Sequence, residues 1–198
     1  MENKTEFSLK ESVSTLVSAA KRHEWLVFRQ APTAEIQAEY KSMKQSLQNL
    51  TPEQQSQVMG SVRDSAIRVN GQQPAPGLNG YGTLRTVYSD VLTDRIDDLQ
   101  TKYLYATRNG HYETKDELSE QIASTIKTLP EDQLSDLNNN IKSFHEAKDL
   151  SNLETLPQNV CLEAFGQTEK LISDEIALRA TQQATTDTQG SLMDAFEQ

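Results

Sequence analysis

Nucleophilic chemistry in this 198-residue sequence would rest first on its one cysteine, Cys161, and its three histidines, His23, His111 and His145. A thiolate beside an imidazole is a nucleophile with its base, and the apolar spacing around Cys161 and His145 places both within or beside the buried stripes of their helices. They can therefore meet in the interior. His111 follows Gly110 in a turn between helices and offers an exposed alternative base. A free cysteine also behaves as a small apolar core residue, and that bland reading of Cys161 stands beside the catalytic one.

One cysteine forms neither an internal disulfide nor a thiolate metal cluster, and three histidines this far apart predict no metal site. No phosphate-binding glycine loop, HExxH, CxxC, GxSxG or EF-hand spacing occurs, so no cofactor is expected. Asp90, Asp94, Asp97 and Asp98 recur at helical spacing. At about 100° per residue they project opposite the stripe of Leu84, Tyr88 and Leu99, which makes them a solvated face rather than a cation site.

Binding chemistry has one candidate. Trp25-Leu26-Val27-Phe28 puts four large apolar residues on all sides of a helix end, and Trp25 points away from the stripe formed by Val13, Leu16, Val17 and Ala20. Either this end enters the core, or Trp25 and Phe28 form a binding site for a partner.

Composition narrows the partners. Net charge is −10, and it is unevenly placed: residues 1–82 hold nine Lys+Arg and eight Asp+Glu (net +1), residues 83–198 ten and 21 (net −11). Such a surface repels phosphate backbones, so nucleic acid is not the expected partner. No apolar run approaches the about 20 residues that span a bilayer, and the interrupted stretch Val13 to Ala20 is no signal peptide. The lone cysteine suits a reducing, cytoplasmic setting.

The elements that must position these residues are helices. Apolar residues recur in steps of three and four almost throughout, 18 glutamines outnumber eight glycines and six prolines, and no period-two alternation is sustained. The pattern predicts an all-α fold of about seven amphipathic helices, in one bundle or two small subdomains. Ser8 with Glu11 opens the first, which runs to Phe28. The second spans about Ala34 to Leu50. Thr51-Pro52-Glu53-Gln54 starts a third that ends at Asn70. A fourth runs from about Thr83 to Asn109 and stops at Gly110, a fifth opens on Thr114 with Glu117, and a sixth follows Pro130. The last spans about Pro157 to Ala180.

Residues 1–70 thus form an N-terminal three-helix part, and 71–82, with four glycines and two prolines, form a linker or long loop. Residues 83–180 form an acidic helical part, and 181–198 a disordered tail, its stretch 181–191 being too polar to pack. Three similar restarts, Leu50-Thr51-Pro52, Leu129-Pro130 and Leu156-Pro157, have unequal spacing and mark repeated helix-start chemistry rather than a solenoid.

The tail carries a small polar run from Thr181 to Ser191, acidic Asp187, Asp194 and Glu197, and Phe196 among its last three residues. It resembles the tails that direct effector proteins of intracellular bacteria through type IV secretion. That resemblance implies a translocated effector acting inside a host cell. The residues themselves favour a non-catalytic helical protein-protein interaction module, with an enzyme using Cys161 and His145 or His111 as the alternative. Oligomeric state and the partner's identity are not encoded in any motif.

Overall fold

In the computed structural model, which describes residues 8–70, 80–147 and 158–196, the helix-start signals can be followed atom by atom. The side chains at 67–70, 112, 132, 144, 145, 147, 158–163 and 186–196 lie outside that description. Ser8 Oγ accepts the Glu11 N–H at 3.4 Å and opens α1 (Leu9–Phe28). Before α3 (Pro52–Asn70), the Thr51 N–H donates to Gln54 Oε1 at 2.9 Å and the Gln54 N–H to Thr51 Oγ1 at 3.3 Å, a closed capping box.

With α2 (Thr33–Gln48), α4 (Tyr81–Arg108), α5 (Tyr112–Lys127), α6 (Glu131–Ala147) and α7 (Gln158–Phe196), the described residues contain seven helices and no strand. The fold is all-α. Its proline restarts are not equivalent. Pro52 lies inside α3, whereas Pro130 precedes α6 and lends only its carbonyl, which accepts the Leu134 N–H at 2.9 Å. Pro157 falls outside the described residues.

Two compact units divide the chain, Met1–Leu92 and Thr93–Gln198. The division falls inside α4 rather than at the 71–82 stretch, of which 71–79 lie outside the described residues. The reason is that the start of α4 belongs to the first unit by its bonds. Glu24 of α1 accepts the Gly80 N–H (3.3 Å) and the Thr83 hydroxyl (3.1 Å), and Tyr40 of α2 donates to Asp90 Oδ2 at 2.6 Å. Asp90 is thus an acceptor between helices, not part of the solvated face expected of it.

In the first unit α1 packs against α2 and α3. Leu16 and Ala20 of the α1 stripe are buried together with Ala19, and Met43 and Leu47 anchor α2. Gln55, fully buried, donates to the carbonyls of Leu47 (2.7 Å) and Leu50 (3.2 Å), satisfying the end of α2. In the second unit α7 packs against α5 and α6. Arg179 of α7 donates to the Leu129 carbonyl, to the Lys127 carbonyl at 2.9 Å and to Glu175 at 2.8 Å, so one guanidinium closes the end of α5.

Two helix ends differ from the sequence reading. α5 begins at Tyr112 with His111 at the cap, so Thr114 lies inside the first turn. The preceding turn sets this start: Gly110, at φ +70°, donates to the Thr107 carbonyl and His111 to that of Ala106, the two bonds of a left-handed helix stop. α7 runs on past Ala180 to Phe196. Residues 181–185 are all exposed, so that stretch is unpacked yet helical. Nothing there breaks a helix, and the Thr181 and Thr185 hydroxyls bond back to the carbonyls four residues earlier, both at 2.9 Å.

Candidate functional site

The C-terminal end of α1 is built by a turn that the sequence does not announce. Gln30 adopts φ +54°, the one non-glycine residue in the left-handed region among those described. Its N–H donates to the Val27 carbonyl at 3.0 Å and the Ala31 N–H to that of Leu26 at 2.9 Å. This is the same two-bond stop that Gly110 gives α4. Pro32 then forces the chain away, and α2 begins at Thr33.

The turn leaves Trp25, Val27 and Phe28 outside the core, at 54%, 50% and 81% exposure. Of the alternatives for Trp25, burial is therefore not what the fold provides. Among the described residues five large apolar side chains are exposed, and three of them sit on this one stretch. The other two, Tyr105 and Leu178, stand singly, and isolated exposed apolar residues are ordinary.

Trp25 is also held in place. The Arg29 guanidinium carbon lies 4.4 Å from the centre of its ring, and Arg29 Nη2 donates to Glu35 of α2 at 2.8 Å. Arg22, one turn before Trp25, grips Glu39 of α2 at 2.7 Å. Arg22 of α1 and Arg29, its C-cap residue, thus tie the exposed end of α1 to α2, and Arg29 forms a cation–π contact with the indole. A pre-positioned aromatic ring loses little freedom when a second surface covers it.

The side chains of Cys161 and His145 lie outside the described residues. His111 caps α5 without a side-chain bond to the helix, is exposed, and borders a shallow hollow with Gly110, Glu113 and Thr114. Among the described residues no three His, Cys, Asp or Glu side chains come together as a metal site, and no helix is long and apolar enough to cross a membrane. A crevice in the second unit is lined by Gln100, Tyr103, Gln167 and Thr168. Its volume of about 10 Å³ holds no more than one water, and its polar groups bond each other, Gln100 to Thr168 at 2.7 Å and Tyr103 to Gln167 at 3.2 Å.

Sequence periodicity singled out Trp25 and Phe28 but gave no sign of Gln30, Arg29 or Glu35. The only trace of the turn in the sequence is Pro32, which marks a stop without its geometry. Compared with known proteins, the chain matches no family model, no curated protein and no solved structure.

Proposed function

We propose that this chain is a non-catalytic helical module that binds another protein through the C-terminal end of α1, with Trp25 and Phe28 as anchors. The observation that carries the reading is the concentration of exposed large apolar side chains on that single turn, beside an arginine that fixes the indole. Scattered apolar residues need no partner, whereas a clustered aromatic pair on a rigid helix end has the composition of a binding hot spot. The acidity of residues 83–198 supports a protein rather than a nucleic-acid partner, and the lone cysteine supports a cytoplasmic setting.

The test is partner capture by the intact chain and by a variant carrying Trp25→Ala and Phe28→Ala. The reading expects the partners retained by the intact chain to be lost from the variant, with its helical spectrum and melting temperature close to those of the parent. Equal capture by both proteins rules the site out. The enzyme alternative is separated by Cys161→Ser: an activity abolished at unchanged melting temperature would favour it over the binding module.

A further inference from the structure

The dipeptide Asn-Gly occurs three times, at 70–71, 79–80 and 109–110. In that sequence the side-chain amide is least shielded from the following peptide nitrogen, because glycine has no Cβ to stand between them. We propose that the Asn109-Gly110 turn, and not Asn79-Gly80, is a site at which the folded protein modifies itself, converting Asn109 to aspartate and isoaspartate and so loosening the turn between α4 and α5. The turn lies in the second unit and the inference does not depend on the α1 site.

The chemistry needs only water. The Gly110 nitrogen gives its proton to solvent base and attacks Asn109 Cγ, the bond from Cγ to the side-chain nitrogen breaks, and that nitrogen takes a proton from solvent and leaves as ammonia, closing a succinimide ring. Water then opens the ring at one of its two carbonyls. Attack at Cγ restores the main chain with an aspartate side chain. Attack at the main-chain carbonyl leaves the chain running through Cβ and Cγ, as isoaspartate.

Geometry separates the two described glycines. Both are left-handed, with φ +78° at Gly80 and +70° at Gly110. Gly80 is buried against Ala20 and Val17 of α1, and its N–H donates to Glu24 Oε2 at 3.3 Å. Loss of that proton would set a negative nitrogen against a carboxylate away from water. Asn109 and Gly110 are exposed, nothing lies within 4 Å of a Cβ added to Gly110, and Gly110 borders the open hollow shared with His111, Glu113 and Thr114. Its N–H donates at 3.3 Å to the Thr107 carbonyl, a bond internal to the helix end that local fraying breaks without moving a neighbouring element.

The products act on the turn. Either acid puts a negative charge at the C-terminal end of α4, where the helix dipole disfavours it. Isoaspartate also lengthens the main chain before Gly110 and so changes the spacing of the bonds from Gly110 to Thr107 and from His111 to Ala106, which end α4 and set the start of α5.

The test is incubation of the intact chain at mildly alkaline pH, folded and in urea, followed by peptide mapping for the mass gain of amide-to-acid exchange and for isoaspartate. In the folded protein Asn109 should convert about tenfold or more faster than Asn79, and in urea the two should convert at similar rates. The product should contain both aspartate and isoaspartate, and the isoaspartate form, separated from the parent by charge, should melt below it. Equal or faster conversion of Asn79 in the folded protein overturns the assignment, as does a tenfold ratio that persists in urea, which would trace it to local sequence rather than to the fold. Aspartate alone as product would mean direct hydrolysis and overturns the ring route. An isoaspartate form that melts with the parent overturns the loosening of the turn.

Discussion

Glu24 of α1 and Gly80, the residue before α4, are joined by a hydrogen bond where the two helices come close. The Gly80 N–H donates to Glu24 Oε2 at 3.3 Å, and a Cβ on Gly80 would lie 2.9 Å from Ala20 Cβ and 3.3 Å from the Val17 carbonyl oxygen. Gly80 also has φ +78°, so both its backbone and its surroundings reserve the position for glycine.

Gly80→Ala should therefore be far worse than the same change at Gly110. Gly110 has a similar φ of +70° but nothing within 4 Å of an added Cβ, so its substitution costs only the left-handed backbone term, about 1 kcal/mol. At Gly80 the contact with the α1 backbone adds an overpacking term, for about 3 kcal/mol in all. Urea unfolding of the two variants measures the difference. Equal losses would mean that α1 yields to the added methyl.

Gln30→Gly should stabilise the protein by about 0.5 to 1 kcal/mol, because glycine adopts the left-handed turn without the Cβ penalty while keeping both main-chain bonds. Part of the gain is returned through the freer unfolded chain, which keeps the net figure small. Thermal melts of the variant and the parent decide it. A lower melting temperature would show that the Gln30 side chain contributes more than its backbone costs.

Gln55→Leu should lower stability by about 1 to 3 kcal/mol despite the gain in apolar surface. The carboxamide is the donor to the Leu47 and Leu50 carbonyls in the interior, and leucine leaves them without it. Chemical denaturation reads the loss. A neutral result would mean that other groups reach those carbonyls.

Local chemistry was legible and long-range chemistry was not. The Ser8 and Thr51 starts, the Gly110 stop and the buried Leu84, Tyr88, Leu92 and Ile96 of α4 follow from residue types within a few positions of each other. The start of α5 was misplaced because the Gly110 turn, which sets His111 as the cap, outweighs the Thr114 and Glu117 signature. Asp90 was misread because its partner, Tyr40, lies 50 residues away. The candidate site shows the same divide. A four-residue apolar run is visible in one dimension, whereas the Gln30 conformation that ends α1 beyond it depends on main-chain bonds that no residue type prescribes.

Trp25→Ala separates a surface anchor from a structural one. With its side chain more than half exposed, the indole contributes only part of its area to the fold, together with a cation–π contact to Arg29. Exposed contacts of that kind are worth about 0.5 to 1 kcal/mol. Truncating a fully buried tryptophan costs about 3 to 5 kcal/mol, so a loss of about 1 kcal/mol or less is the expected outcome. Arg29→Ala should cost a similar small amount, since it removes the same ring contact and the exposed pair with Glu35. The two losses should not add in the double variant, because each single change already breaks the shared contact. Binding should respond differently. Trp25→Ala should weaken partner capture by about 2 kcal/mol or more, roughly thirtyfold, while Arg29→Ala, which leaves the ring present but less fixed, should weaken it less. Calorimetric melts and titration with the captured partner give the two sets of numbers. A stability loss of several kcal/mol for Trp25→Ala, or unchanged capture at unchanged stability, would remove the end of α1 as the binding site.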